Sequence, residues 1–122
     1  MTVLIAHAIL LIMYCPVAAF FFYHPPDTIN ELFGYRTRLS MKNEHTWKEA
    51  NRFSSVLLVL VALSTFVFQV VAYFWMDGMN SFFGAVTFFT IHLILVIPVT
   101  ELHLHSIFDK NGDFKSKPNS KS

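Results

Sequence analysis

The sequence predicts an all-α integral membrane protein, a three-helix bundle whose second span is extended by a cytoplasmic or interfacial helix. Three long uncharged stretches, a one-sided distribution of Lys and Arg, and an unbroken helical pattern ahead of the second stretch predict it. Hydrophobic residues make up 54% of the 122 residues and charged residues 14%, against about 25% charged in soluble domains. The formal net charge of +1 gives no reason to expect a nucleic-acid partner. The one cysteine, Cys15, lies in an apolar run and cannot form an internal disulfide.

The spans are expected at 3–23, 56–76 and 82–102, the third uncharged through Thr100 and followed by Glu101. Runs of this length reach about 30 Å as helices, the thickness of the hydrocarbon core. Each must be helical, because an unpaired backbone group in lipid costs several kcal/mol. Helices of a soluble bundle would carry a polar stripe at a 3.6-residue period, and these runs are apolar all round. The first run has no preceding Lys or Arg, a stretch too long for a signal peptide, and no small-residue cleavage pattern before Tyr23, so it is expected to remain as a span.

Arg36, Arg38, Lys42, Lys48 and Arg52 lie between the first two spans, and Lys110, Lys115, Lys117 and Lys121 follow the third. The N-terminus and the turn Asp77–Ser81 have none. The positive-inside rule therefore places the loop and the C-terminus in the cytoplasm and the N-terminus outside. The Asp77–Ser81 turn makes spans two and three an antiparallel hairpin. Pro16 is expected to kink span one, and His24-Pro25-Pro26-Asp27 to end it.

In the loop, Gly34-Tyr35-Arg36-Thr37 reads as a turn with a fixed Arg, and Ser40 as the cap of the following helix, with Asn43 three residues on. The pattern is helical from about Lys42, and nothing breaks it between Glu44 and Met76. Trp47 suits a membrane–water boundary, its ring buried and its N–H wet. Asn43, Trp47 and Asn51 share a helix face at i, i+4 and i+8 and are expected to dock the Gly34–Thr37 turn through their side chains. Arg36 is expected to pair with Glu101 or Glu31, a carboxylate matching the guanidinium fork.

The string Gly34-Tyr35-Arg36-Thr37-Arg38-Leu39-Ser40-Met41-Lys42-Asn43, followed by Trp47, Ala50 and Asn51, resembles the signature of the SdpI family. Thr100-Glu101-Leu102-His103-Leu104, Phe108-Asp109 and Gly112 are similar to that family's C-terminal edge. The resemblance covers about residues 28–114. It implies a bacterial cytoplasmic-membrane protein that confers immunity to a membrane-active peptide toxin or recruits a cytoplasmic regulator, acting by binding. The family's namesake is longer, with additional spans. Residues 1–114 are expected to form the SdpI-like three-span domain and 115–122 a polar, flexible tail. Three thin helices bury little surface against one another, so a homo-oligomer or a partner membrane protein is an open alternative, alongside contact with membrane lipid.

His7, Gln69 and His92 are the notable polar residues inside the spans. Such groups tend to face the bundle interior and share hydrogen bonds. By depth, Ser64 and Thr65 lie nearest His92, and a neighbouring hydroxyl is its expected partner. The alternative function is a small transporter or channel subunit with a polar path near His92 and Gln69. Glu101 and His105 share a helix face and, with His103 or His24, would offer ligands to a divalent metal, but His103 and His105 are two apart and no metal is expected. Asp109 to Asp113 resembles the start of a calcium loop, yet Gly112 is at position 4 and Ser120 at position 12, so a surface turn is the better account. Neither a catalytic triad pattern nor a phosphate-binding loop is present, and no enzyme and no cofactor are expected.

Overall fold

The computed structural model describes residues 1–115, so the tail expected at 115–122 lies, apart from Lys115, outside the described residues. Three helices account for the architecture of the described residues: α1 (Thr2–Tyr23), α2 (Glu44–Trp75) and α3 (Met79–Ile107). All three are long and apolar enough to cross a membrane, and the protein is an all-α, membrane-spanning three-helix bundle. Among the described residues there is no strand, only an isolated bridge between Phe108 and Phe114. α2 packs against both neighbours, most extensively against α3.

At 1.5 Å per residue, the 22 residues of α1 reach about 33 Å and the 32 of α2 about 48 Å. The excess of α2 over a bilayer core lies at its N-terminal end, as the unbroken pattern predicts. That end is fixed by Asn43 rather than Ser40. Asn43 Oδ1 accepts from the Thr46 amide at 3.0 Å while Thr46 Oγ1 accepts from the Asn43 amide at 3.1 Å, a reciprocal capping box. Ser40 instead closes a local turn, its Oγ accepting from the Thr37 amide at 2.7 Å. Thr46 was the missed partner: a hydroxyl three residues after Asn43 does the work usually given to Glu.

α3 starts earlier and ends later than its apolar run. At its start, Gly78 takes φ +53° and Ser81 Oγ donates to the Gly78 carbonyl at 2.8 Å, so the polar turn residues enter the helix. At its end, the helix continues past Glu101 to Ile107 because Leu104 and Phe108 are buried against Leu39 and Ala50. Outside the lipid-facing region, α2 and α3 therefore remain paired, and the α1–α2 loop closes over them. The helical pattern of α1 runs through Pro16, and that of α3 through Pro98.

Inside the bundle, Leu10, Tyr14 and Ala18 of α1 meet Ala62 of α2 and Ala85 of α3. Small side chains let helix backbones approach closely, which matters where lipid offers no hydrophobic drive to association. Tyr14 stacks on Phe89, with ring centroids 5.3 Å apart.

A chain of hydrogen bonds joins all three helices nearby. The Tyr14 hydroxyl donates to Gln69 Oε1 at 2.5 Å, which orients the amide. Gln69 Nε2 then donates to His7 Nδ1 at 3.0 Å and to the His7 carbonyl at 3.1 Å. His7 Nδ1 must accept, so its proton sits on Nε2, 2.9 Å from Ser81 Oγ. Every member thus has a partner in the buried interior.

Candidate functional site

The loop end of the bundle holds the loop residues that the sequence singles out, and it is built by side chains reaching for backbone. Trp47 is fully buried, and its Nε1 donates to the Pro26 carbonyl at 2.8 Å. Its N–H is therefore satisfied by protein, not kept wet at a lipid boundary as its residue type suggests. Asn30 Oδ1 accepts from the Leu32 and Phe33 amides, each at 2.9 Å, folding the approach to Gly34.

Gly34 has φ +101°, and a Cβ there would lie 2.7 Å from both Asn51 Oδ1 and Pro26 Cγ. Only glycine fits that conformation and that space. The close approach lets Asn51 clamp the next residue: its Oδ1 accepts from the Tyr35 amide at 2.7 Å, while its Nδ2 donates to the Trp47 carbonyl at 3.0 Å. Of the three side chains sharing a face of α2, Asn51 holds the Gly34–Thr37 turn, Trp47 holds Pro26, and Asn43 reaches a different turn. Asn43 Nδ2 donates to the Gly112 carbonyl at 2.8 Å. That second turn is organised by Asp109, whose Oδ1 accepts from the Asn111 and Asp113 amides at 2.9 and 3.0 Å.

Glu101 is the hub, with two loop hydroxyls converging on its Oε1. Tyr35 donates to it at 2.8 Å and Thr37 at 2.5 Å. The Tyr35 hydroxyl also lies 3.1 Å from the Ile97 carbonyl. Burial, then the hydrogen bond to Glu101 and its negative charge, push the Tyr35 phenol well above its ordinary range. Glu101 Oε2 lies 3.6 Å from His105 Nε2, whereas His103 turns away toward α2.

The expected Arg36–Glu101 ion pair does not form. Arg36 is exposed, and its guanidinium donates to the main-chain carbonyl of Glu31, not to a carboxylate. The reason is local geometry. With Tyr35 and Thr37 both aimed at Glu101, the residue between them faces away.

His92 is also placed differently from expectation. Its Nδ1 donates to the Phe88 carbonyl of its own helix at 2.7 Å, and its ring stacks on Phe88 at 4.0 Å. Ser64 and Thr65 likewise bond carbonyls one turn back in α2. Gln69 belongs to the His7 and Tyr14 network, so no polar path joins it to His92 among the described residues.

One cluster was missed in the sequence. Glu49 accepts from Arg52 Nη2 at 2.5 Å and Nε at 3.2 Å, and lies 2.8 Å from His103 Nε2. His103 stacks flat on Phe53, with centroids 3.9 Å apart. The i, i+3 spacing of Glu49 and Arg52 was a readable signal; the link to α3 was not. Burial pushes the Glu49 carboxyl up, but hydrogen bonds and charge from Arg52 and His103 outweigh this and hold it below its ordinary value of 4.5. A carboxyl depressed on folding stabilises above its unfolded pKa and loses that contribution as pH falls through the folded value. The melting-temperature gap between wild type and Glu49→Gln is therefore expected to be full at neutral pH and to shrink below about pH 4.5.

The SdpI/YfhL protein family matches this chain over residues 28–100, from the loop to the end of the lipid-facing part of α3. The chain belongs to the SdpI/YfhL family. YfhL of Bacillus subtilis (strain 168), an uncharacterized protein, is 41% identical over 73 residues, covering 60% of this chain and 56% of that relative. This SdpI/YfhL protein thus spans only about half the length of the curated relative it matches. No solved structure matches it. The family match contains Gly34, Tyr35, Arg36, Thr37, Asn43, Trp47 and Asn51, and stops one residue short of Glu101. His7 also lies outside it, while Gln69 and His92 lie inside.

Proposed function

We propose that this SdpI/YfhL protein acts by binding, as an immunity protein of a bacterial cytoplasmic membrane against a membrane-active peptide toxin. Its loop end faces the cytoplasm and its N-terminus the outside. The observation that carries a binding role is how the polar atoms at the loop end are used. Tyr35, Thr37, Asn51 and Glu101 satisfy one another and the backbone. A catalytic group needs a free nucleophile or base within reach of a substrate, whereas a rigid, satisfied surface suits recognition without chemistry. Membership of the family supports the immunity role.

The test is expression in a toxin-sensitive Bacillus strain lacking its own immunity gene. Survival under a sporulation-delaying peptide toxin is expected to rise with the wild-type chain and to fall back with Asn51→Ala, which releases the loop. Unchanged survival, with the wild-type protein present in the membrane fraction, would reject the role. Recruitment of a cytoplasmic regulator is the second reading, favoured by exposed Arg36 and Lys48; it would show as altered transcription without protection. Orientation is checked separately by a Lys48→Cys probe in a Cys15→Ser background. Labelling by an impermeant reagent in intact cells would contradict a cytoplasmic loop.

A further inference from the structure

A cavity of about 380 Å³ opens beside Glu101, lined by Arg38, Leu39, Lys42, Glu101, His105 and Lys110. Two segments far apart in sequence supply its cations, Arg38 and Lys42 from the loop and Lys110 from the turn after α3. The Asn43 bond to the Gly112 carbonyl brings those segments together. Among the described residues, none of the three cations forms an ion pair, whereas Arg52, which does not line the cavity, is paired with Glu49. Glu101 cannot neutralise them fully: it is one carboxylate against three cations, and its Oε1 already accepts two hydroxyls.

The complement to such a concavity is a compact anion with several acceptor oxygens, which is the chemistry of a phosphate. Position selects its source. Ile97 and Ile94 precede Glu101 by four and seven residues, so they continue its face of α3 into the lipid-facing region. They are 53% and 61% exposed. A free phosphate has no use for that apolar track, but an acyl chain does. We propose that the cavity binds the headgroup of an anionic phospholipid, with Arg38, Lys42 and Lys110 around its phosphate and an acyl chain along Ile97 and Ile94. This rests on the membrane-spanning fold and not on the immunity role, so failure of either leaves the other standing.

The test uses the full chain purified in a nonionic detergent and titrated separately with phosphatidylglycerol, phosphatidylcholine and inorganic phosphate. Binding is read by native mass spectrometry and by thermal shift. Phosphatidylglycerol is expected to bind and raise the melting temperature, and the other two to do neither. The triple variant Arg38→Gln, Lys42→Gln, Lys110→Gln should bind it roughly tenfold or more weakly. Lys48→Gln, which removes a cation of the same end outside the cavity, should bind as wild type does. Equal effects of the two lipids, an equal effect of inorganic phosphate, or equal losses in Lys48→Gln and the triple variant would each overturn the proposal. Should the triple variant not fold, Arg38→Gln and Lys110→Gln are measured singly; each is expected to weaken phosphatidylglycerol binding, and unchanged binding in both would also overturn it.

Discussion

Trp47→Ala is expected to cost this protein about 3–5 kcal/mol, the range for emptying a large aromatic site. Trp47 is fully buried, among the largest side chains with that property. Its removal leaves a void under the loop and strips the Pro26 carbonyl of its donor, and an unsatisfied buried acceptor costs a further ~1–3 kcal/mol. Thermal unfolding in detergent should show the largest drop of any single loop-end substitution. Trp47→Phe separates the two contributions, because it keeps most of the ring's packing and deletes only the N–H. A Trp47→Ala protein melting within a degree or two of wild type would mean that the loop does not rest on this residue.

Gly34→Ala is expected to have the second-largest effect, through backbone and contact together. The φ of +101° is one that side-chain-bearing residues rarely adopt, and holding one there costs about 1–3 kcal/mol. The added methyl would also lie 2.7 Å from Asn51 Oδ1, the atom that accepts from the Tyr35 amide. Relief requires either Gly34 or Asn51 to move, and either motion weakens the clamp. The expected result is a lowered melting temperature with helix content retained, since α1, α2 and α3 do not depend on the turn. Gly78→Ala is the control: its φ is +53°, but no atom lies within 4 Å of the added Cβ. It should be the milder change.

The helices were legible because lipid imposes a simple rule. An apolar run of sufficient length has one low-energy backbone solution there, so 3–23 and 56–76 lie within a residue of the bounds of α1 and of the apolar end of α2. The third helix shows where that rule stops. Hydropathy ends at Glu101, but helix formation continues while Leu104 and Phe108 find Leu39 and Ala50 to pack against, and a distant partner is invisible to a local window.

At the loop end, the sequence pointed to the right neighbourhood and the wrong contact. Glu101 is a partner of the turn, yet hydroxyls reach it and Arg36 does not. Charge complementarity favours Arg36 as the partner of Glu101, whereas the loop turns the Tyr35 and Thr37 hydroxyls onto that carboxylate and leaves Arg36 exposed. Ser40 and Asn43 are both good caps by residue type, and only the Thr46 hydroxyl distinguishes them. The lipid-edge cavity was beyond reach of the sequence, because Lys110 joins Arg38 and Lys42 only through the turn that Asn43 holds.

Amide hydrogen exchange at Tyr35, in the protein reconstituted in nanodiscs, bears most directly on whether this loop is a fixed part of the bundle. The amide is held by Asn51 Oδ1 at 2.7 Å, so it should exchange far more slowly than an unstructured peptide amide. Asn51→Ala should abolish that protection while amides in the middle of α2 keep theirs. Exchange of the wild-type Tyr35 amide at the unstructured rate would contradict the account, whatever the helices themselves did.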